Sequence, residues 1–227
     1  MGGINMTEKQ DHGDILPITG RSKGYSQEKL IEHLPRHRDC TPHLIEQIKK
    51  IPDTILRNLG TPMAKKAVKM VRNVFKEAYR AKQFTRSKIN NRGVLYGIVS
   101  LKHDVMDLVL TYFHERWPQC IICLFNEHTH KTGIMNEKGE VREYEKSIEV
   151  VVKKISERRS IDPYFEDIQF SSEKIFETFY KTQNIDQREN KEYFKKMIPD
   201  KCFKLPGLRN GIEKRFSNKN KRLDEFL

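Results

Sequence analysis

Cys120-Ile121-Ile122-Cys123, followed by His128 and His130, has the residue types of a zinc site in the pattern C-x₂-C-x₄-H-x-H. Zinc knuckles seat such a cysteine pair on a tight turn so that both sulfurs converge. Here the pair spans an apolar run that reads as a strand, where residues three apart point to opposite faces. The spacing therefore predicts core thiols, with no metal and no other cofactor. A thioredoxin-like role fails on the same ground, because that chemistry needs a thiolate at a helix N-terminus. His103-Asp104 lies at a strand-to-helix junction and carries two readings. Asp104 can cap the helix while His103 covers its end, or the two can act as a general base beside a phosphate-binding surface. If the chain has an active site, this pair is the first choice for it. Arg188 and Asn190 open a later helix and can hold a phosphate or a neighbouring carboxylate. A Walker loop, a dinucleotide-binding glycine motif, a nucleophile elbow, a deaminase zinc motif and a three-cysteine radical cluster are all absent from the sequence.

The charge is unevenly placed. The chain of 227 residues has a formal net charge of +12. Between Lys65 and Arg92 there are ten basic residues against one acid, Glu77, and between Lys195 and Arg222 ten more against Asp200 and Glu213. The remainder is mildly acidic. Two basic segments on an otherwise anionic body predict a polyanion as partner, and nucleic acid is the commonest one. Candidate contacts in the first segment are Lys65, Lys69, Arg72, Lys76, Arg80 and Arg86, and in the second Lys195, Lys196, Lys214 and Arg215.

The elements that must hold these residues follow from period and punctuation. Thr41-Pro42 opens a helix that Pro52 interrupts and Gly60 ends. Thr61-Pro62 reads as an N-cap followed by proline at the first helical position, opening a helix from about 62 to 82. On it Lys65, Lys69, Arg72, Lys76 and Arg80 fall in a stripe of roughly 80°, opposite Met63, Ala67, Val71, Val74 and Ala78. By the helical rise the five cations extend over roughly 22 Å, enough to follow several backbone phosphates. The turn Asn90-Asn91-Arg92-Gly93 leads to a strand at Val94–Val99. Then come a helix from Asp104 to Trp117 and strands near 120–125, 132–135 and 141–144. Helical spacing returns at 147–158, 172–182 and about 187–197. The expected architecture is α+β, a small β-α-β-β-β sheet flanked by several helices in one domain from about 41 to 212. Residues 1–40 read as a polar N-terminal extension and 213–227 as a basic tail.

Composition removes several classes. Hydrophobic residues at 37% and charged residues at 33% suit a folded chain with polar ends, not a fibre. No run approaches the roughly 18 apolar residues of a membrane span, and the N-terminus lacks the order of a secretion signal. Four cysteines do not make a secreted disulfide framework, so a reducing compartment is expected, cytoplasmic and nucleoid-associated.

In order along the chain, Glu77-Ala78-Tyr79-Arg80-Ala81-Lys82-Gln83-Phe84-Thr85-Arg86, Gly93-Val94-Leu95, His103-Asp104-Val105, Phe113, Arg116-Trp117-Pro118, Ile185, Arg188, Asn190 and Met197-Ile198-Pro199 resemble an uncharacterised family described as probable DNA-metabolism proteins. The resemblance covers roughly 62–205, with Tyr112 and Cys202-Phe203 departing from the family pattern. It implies a DNA-related process and partners such as a uracil-DNA-glycosylase-like domain or a radical-SAM protein, without supplying a reaction. Separately, the last eight residues, from Asn220 through Leu223, Phe226 and Leu227, look like the peptide that docks onto the sliding clamp PCNA. In a 3₁₀ turn Leu223 and Phe226 eclipse and Leu227 joins them as one apolar plug. The same residues can instead fold back onto the domain. The expected function is a DNA-binding accessory protein of repair or modification. A lesion-processing hydrolase using His103 and Asp104, or a structured-RNA-binding protein, are the alternatives.

Overall fold

In a computed structural model of the chain, residues 24–165 are described, together with Ile198, Cys202 and Leu205. Helices α1 (Gln27–His33), α2 (Pro42–Lys49), α3 (Asp53–Arg57) and α4 (Pro62–Phe84) come first. Strands β1 (Ser87–Ile89) and β2 (Val94–Val99) follow, then α5 (Met106–Arg116), β3 (Ile121–Asn126), β4 (Lys131–Met135), β5 (Val141–Tyr144) and α6 (Ile148–Glu157). The five strands form one sheet in the order β1-β2-β3-β4-β5, antiparallel except for the β2–β3 pair. That parallel pair is the one joined through α5, as a parallel connection requires.

Capping follows the punctuation. Thr41 and Thr61 accept from the amides of Leu44 and Ala64 at 3.3 and 3.1 Å, each with proline at the first helical turn. In the sheet, alternation divides the side chains between two faces. Leu95, Val99, Ile122, Leu124 and Met135 meet Val109, Leu110 and Phe113 of α5, with Val74 and Ala78 of α4. Val94 and Cys123 face the other way, onto Val151 of α6. A third cluster is wholly helical and joins Leu30, Leu34, Leu44, Ile48 and Leu56 to Ala64, Ala67, Val68 and Val71. Thus α4, 23 residues and about 34 Å long, is shared by two cores: its first half closes the helical cluster and its second half covers the sheet. Gly133 marks where α5 lies closest to the sheet, since a Cβ there would come within 2.6 Å of the Met106 side chain.

The expected mixed architecture is present, with two additions. A short strand, β1, precedes β2 and makes an antiparallel hairpin with it, Ser87 opposite Gly97 and Ile89 opposite Leu95. Its turn is held by Asn90, whose Oδ1 accepts from the amides of Arg92 and Val94, and by Gly93 at φ +68°. The second addition concerns the expected extension. Residues 24–40 lie in the folded body, not in a loose arm: Leu30 and Leu34 are fully buried, and the Gln27 side-chain amide donates to the carbonyls of Lys49 and Ile51. The helices expected at 172–182 and 187–197 and the tail at 213–227 fall outside the described residues.

Candidate nucleic-acid interface

The helical phase of α4 decides which of its cations can meet a ligand. Ala64, Ala67, Val68, Met70, Val71, Val74 and Ala78 are buried along one side. On the other, Lys65, Lys69 and Lys76 are exposed, with Lys66 beside them, while Arg72 and Arg80 are half-buried. Arg72 donates to the Tyr25 hydroxyl, so it is anchored to the chain entering α1. Ion pairs among the described residues involve other cations: Arg36 with Asp107, Arg38 with Asp39, Lys49 with Glu46, Arg57 with Asp53, Lys131 with Glu145 and Arg159 with Glu137. The ammonium groups from Lys65 to Lys76 therefore stand along about 16 Å of helix with no carboxylate partner among the described residues.

Beyond Lys76 the same residue types, the exposed Lys88 apart, are used internally. The Glu77 Oε2 accepts from the backbone amides of Lys102 and His103 at 2.9 and 2.7 Å, fixing the loop that leaves β2. Arg80 lines a small cavity with Glu77, Thr85, Ser100 and Cys202, where the buried Thr85 hydroxyl has no hydrogen-bond partner among the described residues. The Lys82 ammonium lies 5.4 Å from the Tyr112 ring centre, and burial pulls its pKa down against the opposing charges of Glu115 and Asp107. Arg86 is half-buried, its pKa lowered by burial, and it donates to the Gln83 carbonyl. Arg92 donates to the carbonyls of Ser156 and Arg159, tying the β1–β2 turn to the end of α6.

The structure places Asp104 differently from the capping reading of the sequence. Asp104 is not the cap of α5. Val105 occupies that position without a side-chain bond, and the exposed Asp104 engages through its backbone: its amide donates to the Arg36 carbonyl at 2.9 Å and its carbonyl accepts from the Arg36 guanidinium. The acid in the first turn of α5 is Asp107, held by Arg36 through two bonds of 2.7 and 2.8 Å. The ring of His103 lies against His37, centres 4.3 Å apart, and its Nδ1 accepts from the Arg38 amide at 3.4 Å. Asp104 is thus not the group that orients His103. Sequence reasoning missed His37 and Glu77. The one available signal was Glu77 itself, the single acid in a basic segment and set between the apolar and basic sides of the helix.

Cys120 and Cys123 sit in separate apolar clusters on opposite faces of the sheet, as the strand geometry required. Burial pushes their thiols up to about 11 and about 12. His128 and His130 are exposed on the β3–β4 hairpin. Arg188, Asn190, Lys195, Lys196, Lys214, Arg215 and the tail residues Asn220, Leu223, Phe226 and Leu227 lie outside the described residues.

The described residues therefore define a mixed α/β protein in which a long helix carries an open row of lysines, and no described helix is long and apolar enough to cross a membrane. The chain belongs to the family described as a domain of unknown function (DUF4130), whose model matches residues 35–205. Neither a curated protein nor a solved structure matches it.

Proposed function

We propose that the protein is a nucleic-acid-binding accessory factor of DNA repair or modification that grips backbone phosphates through the exposed face of α4. The observation that carries this reading is the row Lys65, Lys69 and Lys76, exposed and without carboxylate partners among the described residues. Lysines on phosphates position a nucleic acid without reading its sequence, so the binding is backbone-directed. The resemblance of the 62–205 region to probable DNA-metabolism proteins supports DNA over RNA. A uracil-DNA-glycosylase-like or radical-SAM partner supplies the chemistry in this reading, and the peptide ending at Leu227 tethers the complex to a sliding clamp. The second basic segment, including Lys195, Lys196, Lys214 and Arg215, completes the grip.

The test is duplex-DNA affinity measured against salt, beside a structured RNA of equal length. Replacing Lys65, Lys69 and Lys76 by Glu removes three phosphate contacts, so the slope of log affinity on log salt should become shallower by about 3. Unchanged affinity and slope would refute the interface. Phe226→Ala should abolish capture by immobilised clamp while leaving DNA affinity intact; retained capture would rule out the tether.

A further inference from the structure

The exposed lysine row of α4 ends at Lys76, but the basic surface beside it does not. One residue further on, the Glu77 Oε2 accepts from the amides of Lys102 and His103 at 2.9 and 2.7 Å. One turn further on, Arg80 lines the same small cavity as Ser100. These two contacts lay the loop that leaves β2 along the flank of α4, where the helix's own cations, Arg80 and Lys82, are half-buried. Lys102 is the cation of that loop, and it is exposed. It belongs to neither basic segment of the sequence. We propose that Lys102 extends the phosphate-binding surface of α4, so that a nucleic-acid backbone following Lys65, Lys69 and Lys76 passes onto the loop after β2. The inference rests on the reading of the lysine row as a nucleic-acid interface.

Chain geometry puts Lys102 within range of the row. A glutamate side chain and one hydrogen bond to an amide bridge at most about 9 Å between Cα atoms, and consecutive Cα atoms are about 3.8 Å apart, so the Cα atoms of Lys76 and Lys102 are separated by at most about 13 Å. The rise from Lys69 to Lys76 along the helix is about 10.5 Å, so the step onto the loop is of the same order as the step within the row. The acids near the loop have partners of their own. Asp107 holds the Arg36 guanidinium through two bonds, and Asp104 faces the same group and helps to keep it charged. Asp39 pairs with Arg38, and Glu77 Oε2 is held by the two amides. Lys102 has no ion pair among the described residues.

The experiment is duplex-DNA affinity against salt for the full chain and for Lys102→Ala, Lys69→Ala and Lys88→Ala. Lys88 is as exposed as Lys102 but stands on β1, beyond the end of α4. A lysine that meets a phosphate contributes about 0.9 to the slope of log affinity on log salt. Lys102→Ala should make the slope shallower by about 0.9, as Lys69→Ala does, while Lys88→Ala leaves it unchanged. A slope that moves in Lys69→Ala but not in Lys102→Ala overturns the extension and leaves the row standing. Slopes unmoved in both overturn the row and the extension with it. Equal shifts in Lys88→Ala and Lys102→Ala also overturn the extension, because net charge alone then sets the slope. Acetylation of the natural chain with an amine-directed reagent decides without a variant: duplex DNA should slow the reaction at Lys102 relative to Lys88, and slowing that is no greater at Lys102 overturns the extension.

Discussion

Between Lys65 and Lys76 the lysines of α4 face water, whereas between Glu77 and Arg92 the charged side chains other than the exposed Lys88 are buried or half-buried: Glu77 lies on two amides, Lys82 on the Tyr112 ring, Arg92 on the carbonyls ending α6. Along the sequence Glu77 alone marks the second stretch off from the first, within one run of ten cations. What separates them is the partner of the buried side. The first half of α4 packs on helices that leave its outer face clear, while the second half and its exit meet α5, the sheet and the turn before β2. Net charge over a window therefore measures two different things, and the proposed phosphate grip rests on the first half of this one.

The comparison breaks most severely at Glu77. Glu77→Ala leaves the amides of Lys102 and His103 without their acceptor and should cost about 3 kcal/mol, since bonds to a charged acceptor each contribute about 1.5–3 kcal/mol. The melting temperature should then fall by about 6–12 °C. Glu77→Gln keeps an acceptor oxygen and should lose about half as much. A melting curve unchanged in the alanine variant would show that the loop after β2 does not depend on α4.

Most of the frame that holds these groups was legible because its signals are local. Thr61-Pro62 fixed the start of α4, and two-residue alternation fixed the strands and placed Cys120 and Cys123 on opposite faces. The two elements that were not legible are short: β1 has three residues, none buried, and is a strand only because the Asn90–Gly93 turn folds it onto β2. Helix α1 hides in a polar context where Leu30 and Leu34 are its fully buried anchors, one turn apart. The site was harder still. The ring of His103 lies against His37, 66 positions earlier in the chain, and no spacing rule connects residues that only the packing of the Leu34–Arg36 turn and of α5 on α4 brings together.

Arg92 gives the intermediate case, a cation whose role is internal although its charge was counted in the same basic segment as the stripe. Arg92→Ala frees the carbonyls of Ser156 and Arg159 and should cost about 1–2 kcal/mol by denaturant unfolding, with DNA affinity changed less than twofold. A tenfold loss of affinity at unchanged stability would move Arg92 into the interface and erase the boundary drawn at Lys76.

The finest test sets one lysine from each half side by side. Lys82→Ala removes an ammonium lying over the Tyr112 ring and should cost about 0.5–1 kcal/mol of stability, the range of a partly exposed cation–π contact. Lys69→Ala removes an exposed side chain with no ion pair among the described residues and should change stability by less than about 0.5 kcal/mol. The affinities should run the other way: the salt slope should become shallower by about 0.9 in Lys69→Ala and stay put in Lys82→Ala. Helix propensity does not account for such a crossover, because alanine replaces lysine within one α-helix both times. Equal slopes in the two variants would mean that nucleic acid does not distinguish the halves of α4.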